Sequence, residues 1–183
     1  LPRDAATVLL LRPTDLGPFE VFMVKRHRGS AFMGGVHVFP GGKLDAEDSS
    51  ADVLQRVRGC TPSAAVTRLD DSFDPARALG LHVAAIRETF EEANVFLGEA
   101  RGGDRLPGAT QPRPEDETFA AFLQKHDGFL RADRLVPWTR WITPLVEPKR
   151  FDTWFFLCIV APGTEANHDG HETTEQAWFT PAA

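Results

Sequence analysis

The chain has 183 residues, 42% of them hydrophobic, with 20 Lys and Arg set against 26 Asp and Glu. That length and apolar content suit one compact domain spanning 1–183 with a real core. The formal net charge of −6 argues against a general attraction to nucleic acid polymers or to an anionic membrane, so a phosphate-bearing ligand would need a local basic patch or a metal cation.

In chain order, Ala5–Leu11 and Pro18–His27 read as two adjacent strands, separated by a turn that Pro and Gly punctuate. A short strand at Val36–Phe39 leads into "PGG", where Gly41 and Gly42 let backbone approach a ligand closely. Residues 51–59 and 74–97 have helical spacing, and Asp74 followed by Pro75 makes a helix start. Residues 98–114 read as a loop and 115–130 as a further helix. Two strands are expected in "RLVPWTRWITPL" and "RFDTWFFLCIVA", then a polar loop, "TEANHDGHETTEQ", leading into "AWFTP". Short strands interleaved with helices predict an α/β (α+β) fold with a mixed sheet. The longest apolar runs are too short to span a bilayer, and the N-terminal segment lacks the layout of a signal peptide. Cys60 and Cys158 lie far apart, the second in an apolar run, which favours free thiols in a reducing compartment. The expectation is a cytoplasmic protein.

The segment "AAIRETFEEANVFL", residues 84–97, concentrates three glutamates beside an arginine. At about 100° per residue, Glu88, Glu91 and Glu92 share one arc of a helix, while Ile86, Phe90, Ala93 and Leu97 lie opposite. Arg87 sits one turn before Glu91 and can pair with it. By itself a run of glutamates is commonly a solvated face. The other reading is a site for a hard divalent cation, which prefers carboxylate oxygens.

Joined with "FPGGKLDAED" upstream, this helix resembles the Nudix hydrolase signature, G-x5-E-x7-R-E-U-x-E-E-x-G-U, with U a bulky apolar residue. Gly42 matches the first glycine, Asp48 stands where a glutamate is usual, Arg87, Glu88, Glu91 and Glu92 match the R-E-x-x-E-E core, and Val95 fits the last apolar position. Thr89 replaces an apolar residue, and Asn94 replaces the closing glycine, a substitution compatible with a left-handed helix stop. Residues 49–86 form a 38-residue spacer where the signature has seven. A helical insertion at this place is similar to that of the peroxisomal, coenzyme A-hydrolysing branch of the family, and "RFDTWFFL" and "EQAWFTP" extend the match.

The resemblance implies a Nudix-type α/β/α sandwich and hydrolysis of a nucleoside diphosphate linked to another group, with Mg²⁺ or Mn²⁺. Coenzyme A or an acyl-CoA is the implied substrate, with location in peroxisomes if the source is eukaryotic. A dinucleotide or nucleotide sugar, or a non-catalytic nucleotide-binding role, stands as the alternative. Carried onto matching positions, Glu88, Glu91 and Glu92 would hold metal, a carbonyl of Gly41 or Gly42 would complete the set, Glu88 would serve as base, and Arg87 would orient the carboxylates. Some relatives add a catalytic glutamate before the last strand, and Glu172 is the first choice, ahead of Glu175. Lys25, Arg26 and Arg28 precede the glycine loop and suit phosphate oxygens as well as a charged strand end. Trp138, Trp141 and Trp154 are read as packing residues in preference to base-stacking ones, and "HDGHE" as a polar loop, since the spacing of His168, Asp169 and His171 matches no strong zinc pattern. A homodimer is the remaining expectation for partners.

Overall fold

The computed structural model describes residues 1–15, 17–27, 34–104, 106, 117–168 and 173–181. Among these residues ten strands and four α-helices follow in the order β1 (Arg3–Thr14), β2 (Gly17–Arg26), β3 (His37–Val38), β4 (Gly41–Lys43), α1 (Ala51–Leu54), β5 (Val57–Arg58), α2 (Pro62–Leu69), α3 (Pro75–Ala93), β6 (Gly98–Ala100), α4 (Phe119–Lys125), β7 (Gly128–Arg131), β8 (Val136–Ile142), β9 (Phe151–Ile159) and β10 (Thr173–Phe179). Among the described residues no helix is long and apolar enough to cross a membrane.

A seven-stranded mixed sheet has the order β10-β2-β1-β9-β8, with β3 attached to β2 and β4 to β1. Its centre is the parallel pair β1 and β9, in register from Arg3 with Phe151 to Leu11 with Ile159; β2, β4, β8 and β10 pair antiparallel. The mixed sheet and the α+β class agree with the expectation. Alternation along the strands sets one face. Ala6, Val8 and Leu10 of β1, Phe22 and Val24 of β2, and Trp154, Phe156 and Cys158 of β9 share one core with Leu79, Val83, Ile86 and Phe90 of α3. Cys60 and Cys158 are both buried and free.

The start of α3 is the one expected. Asp74 accepts hydrogen bonds from the amides of Ala76 and Arg77 at 3.0 and 3.1 Å, and Pro75 occupies the first helical position, where its missing N–H is harmless. The end is Asn94 in the left-handed conformation, φ 53°, so the helix stops at Ala93, short of the predicted residue 97. Thr89, an apolar position in the signature, is buried because its hydroxyl donates to Ala85 O at 2.7 Å.

Three local expectations need correction. Residues 51–59 hold a single turn of helix and then strand β5, and residues 98–100 and 128–131 are strands where a loop and a helix end were expected. The reason is tertiary: β5, β6 and β7 are short segments that only make sense together, as a second sheet in the order β5-β7-β6, which no local period can announce. The 49–86 insertion is therefore not purely helical. It also contributes the first 12 residues of α3, Pro75–Ile86.

The insertion is tied down at its far end. Arg77 pairs bidentately with Asp4 of β1 at 2.7 and 2.6 Å, and Arg140 of β8 pairs bidentately with Asp152 of β9 at 2.8 and 2.7 Å while reaching Asp70 at 2.6 Å. Phe73 lies beneath both guanidiniums, 4.0 Å from that of Arg77 and 5.2 Å from that of Arg140. At the near end Gly80 lets the chain cross α3, since a Cβ there would stand 2.2 Å from Ser49 Oγ.

Candidate active site

Arg87 is the centre around which the acidic residues are arranged. It is 6% exposed, yet each of its guanidinium donors has an acceptor. Nε donates to Asp48 Oδ1 at 2.8 Å, Nη2 to Asp48 Oδ2 at 2.9 Å and to Lys43 O at 3.1 Å, and Nη1 to Glu88 Oε1 at 2.8 Å and Glu91 Oε2 at 2.9 Å. Burial works against the charge, but the bonds to Asp48 and the nearby Glu88 and Glu91 hold it firmly protonated. A lysine could not reproduce this, since a compact ammonium has three donors and no planar fork.

Asp48 immediately precedes the 38-residue spacer and is 1% exposed. Besides the fork to Arg87 it accepts the Asp45 amide at 2.9 Å, in the 3-10 turn Ala46–Ser49. The 3-10 turn thus brings this short side chain within reach of Arg87, a pairing not expected from the sequence. Burial raises the Asp48 carboxyl, and Arg87 offsets this only in part.

The three glutamates are placed differently from one another. Glu88 and Glu91 turn to the same nitrogen of Arg87, whereas Glu92 is buried and accepts the Gly41 amide at 2.9 Å. Of the two readings of this face, a solvated stripe does not hold for Glu88 and Glu92, which lie against β4, while Glu91 stays partly exposed. Gly42 belongs to that cover: a Cβ there would meet Glu88 Oε1 at 2.4 Å and Oε2 at 2.7 Å, so only glycine permits the approach. Burial raises Glu88 from 4.5 to about 7; Arg87 lowers it and Glu91 adds to the rise.

Among the described residues no three His, Cys, Asp or Glu side chains stand together closely enough to hold a metal ion. Glu88 and Glu91 are brought together by Arg87, and Glu92 is directed to Gly41. The donor chemistry nevertheless suits a hard divalent cation: carboxylates on one helical turn lie beside the main chain of Gly41 and Gly42, without thiolate or imidazole among them.

The remaining candidates are scattered. Arg26 ends β2, where its amide and carbonyl bond Val36 and Gly35. Lys25 pairs with Glu175 across β2 and β10 at 2.9 Å. Arg28, Glu172, Asp169 and His171 lie outside the described residues. His168 is held by its amide, which donates to Gln176 Oε1, and the neighbouring Asn167 amide donates to Ala93 O at 2.9 Å, so the chain at Asn167 docks on the end of α3. Only Trp154 of the three tryptophans packs as expected; Trp138 and Trp141 are exposed because β8 is the edge of the sheet. Gln176, Lys43 O and the Arg140 and Arg77 clamps had no sequence signal, since each acts across a long separation.

A family model described as "NUDT19 Nudix domain" matches residues 2–183. The chain is 29% identical over 230 residues to the acyl-coenzyme A diphosphatase NUDT19 of Gallus gallus, covering 98% of this chain and 61% of that protein. It is 29% identical over 209 residues to the Homo sapiens protein of the same name, covering 93% and 56%. Both relatives therefore extend well beyond the matched region. Among solved structures, a NUDIX hydrolase from Alicyclobacillus acidocaldarius superposes with a TM-score of 0.76 at 30% identity, covering 98% of this chain and 79% of that one.

Proposed function

Because the chain belongs to the NUDT19 Nudix domain family, we propose that it hydrolyses the diphosphate bond of coenzyme A or an acyl-CoA, giving 3′,5′-ADP and 4′-phosphopantetheine, with Mg²⁺ or Mn²⁺ as cofactor. The observation that carries this reading is the saturated Arg87, which holds Glu88 and Glu91 by one nitrogen and anchors itself on Asp48. Such an arrangement fixes carboxylates at the cost of burying charge, which a merely solvated helix has no need to do. The names of the relatives support the substrate class.

Divalent cations held at Glu88, Glu91 and Glu92, with a carbonyl of the Gly41-Gly42 segment, would offset the charge of the diphosphate and lower the pKa of an attacking water. The chain's own residues have separate tasks. Arg87 fixes the rotamers of Glu88 and Glu91, the Gly41 amide fixes Glu92, and Gly42 leaves room for the Glu88 carboxylate against β4. Glu88, the carboxylate placed against Gly42, is the proposed base.

Comparing kcat/KM for coenzyme A, an acyl-CoA, a dinucleotide and a nucleotide sugar, each with Mg²⁺ and with Mn²⁺, tests the reading, because specificity is a ratio of transition-state stabilisations. Preference for the coenzyme A compounds is expected. A higher value for the dinucleotide or nucleotide sugar would remove the substrate assignment, and binding without turnover of any of them would remove the enzymatic one.

A further inference from the structure

Among the described residues strand β8 is an edge of the large sheet, and much of it is apolar. Val136, Trp138, Trp141 and Ile142 are 57%, 60%, 67% and 51% exposed, and Leu145 and Val146 in the following turn are 84% and 87% exposed. Among the described residues nothing covers them. Together these six side chains present on the order of 700 Å² of apolar surface, against about 800 Å² per partner in a standard interface, divided between the two flanks of the strand: Trp141 lies beside Phe155 on the outer face of the sheet and Ile142 stands opposite Asp152 on the inner one. An edge strand that is apolar on both flanks invites pairing with another strand.

We propose that β8 is the seam of a homodimer, in which β8 of a second copy adds antiparallel to it with Trp141 at the two-fold axis. The backbone points this way first. Thr143 N–H donates to Phe151 O at 2.9 Å, and the register continues without irregularity through Ile142 with Asp152 and Trp141 with Thr153. In an antiparallel ladder such pairs alternate, so the amides and carbonyls of Arg140 and Ile142 point away from β9. Toward the start of the strand, Pro137 has no N–H and the ladder shifts between Pro137 and Thr139, which confines regular pairing to the Thr139–Ile142 end.

Symmetry and charge then choose the register. A two-fold axis normal to the sheet keeps each face on its own side, so only residues of the same parity can stand opposite each other. Centring on Arg140 would set two guanidiniums face to face. Centring on Trp141 instead sets the two indoles opposite each other and pairs Arg140 of each copy with Ile142 of the other, the residues whose backbone groups point outward. No residue of β8 is acidic, and Arg140 is already neutralised by Asp152 and Asp70, so the seam carries no repulsion although the chain has a net charge of −6. An interface of this kind uses one patch twice, as closed dimers do. It also stays clear of the Arg87 centre, since β9 and β1 lie between β8 and β4.

Sedimentation of the chain over a range of concentrations, with hydrogen exchange at Arg140 and Ile142, tests this. Twice the single-chain mass is expected, with exchange at those two amides slowing as concentration rises. Ile142→Pro removes an outward amide while leaving the internal Thr143 bond intact, and Trp141→Glu places like charges at the axis. Both should give the single-chain mass with hydrolysis of coenzyme A unchanged. A single-chain mass for the wild type, or a doubled mass retained in both variants, overturns the proposal. So does concentration-independent protection of β8 in a longer form of the polypeptide that remains single, since another segment would then occupy the edge.

Discussion

Asp48 is the residue at which the insertion and the site meet, and replacing it separates two effects. Asp48→Ala removes the acceptors of Arg87 Nε and of one Nη2 hydrogen, and leaves a buried guanidinium with its bonds to Lys43 O, Glu88 and Glu91 and the more distant Asp45 carboxylate, 3.6 Å from Nη2. Breaking a buried ion pair from one side costs about 3–5 kcal/mol, a large part of the ~5–15 kcal/mol by which domains of ordinary size are stable. Asp48→Glu restores the family's usual residue but adds a methylene at a position 1% exposed and already bonded to the Asp45 amide. Overpacking of that kind costs about 1–3 kcal/mol. Urea unfolding of the wild type and both variants, monitored by tryptophan fluorescence, gives the two differences from the midpoint and slope. Stability of the alanine variant within about 0.5 kcal/mol of wild type, the range of ordinary surface changes, would refute the claim that Asp48 neutralises Arg87. A glutamate variant more stable than wild type would show that the aspartate is not matched to the 3-10 turn.

Gly42→Ala brings a methyl to within 2.4 Å of Glu88 Oε1, so the carboxylate must move. Displacement of a reacting group by about 1 Å costs on the order of 100-fold in rate; kcat for coenzyme A should fall by that much with KM little changed, and a wild-type kcat would contradict the placement of Glu88. In metal-free buffer two buried groups should shape stability against pH in opposite senses. Glu88, raised from 4.5 to about 7, contributes stability that is full below pH 4.5 and is lost as pH rises through 7, so Glu88→Gln should flatten that limb. His82, depressed from 6.5 to about 4 by burial, contributes stability present above 6.5 and lost as pH falls through 4, so His82→Leu should flatten the acid limb. Thermal unfolding across pH 4 to 7 that leaves either limb unaltered contradicts the corresponding assignment.

Local rules made the helix and its ends legible in the sequence. Asp74-Pro75 and Asn94 bracket α3 by capping chemistry, and the alternation in "RFDTWFFL" reads directly as β9. The carboxylate turn and its arginine were likewise visible from spacing. What spacing could not show is where each carboxylate turns, because Glu92 is drawn to Gly41 by a strand more than fifty residues upstream and Glu88 and Glu91 by one shared guanidinium. The long spacer was visible as an interruption, but its anchoring through Asp4, Asp70 and Asp152 was not, since ion pairs of such separation leave no period. A loop of 38 residues costs only about 1.5 kcal/mol more to close than one of seven, which the Arg77 and Arg140 clamps readily offset. The misreading of β5 and β7 as helix has the same origin, since each is a strand only because the other lies beside it.

The central claim is that the Arg87-held glutamates act in hydrolysis of a coenzyme A diphosphate. The most direct measurement is chromatographic identification of products after incubating the protein with coenzyme A and Mg²⁺ or Mn²⁺, beside Glu91→Gln and a chelator control. The wild type should give 3′,5′-ADP and 4′-phosphopantetheine in equal amounts, the variant orders of magnitude less, and the chelator control none. Absence of 3′,5′-ADP with either metal, or full activity in Glu91→Gln, would contradict it.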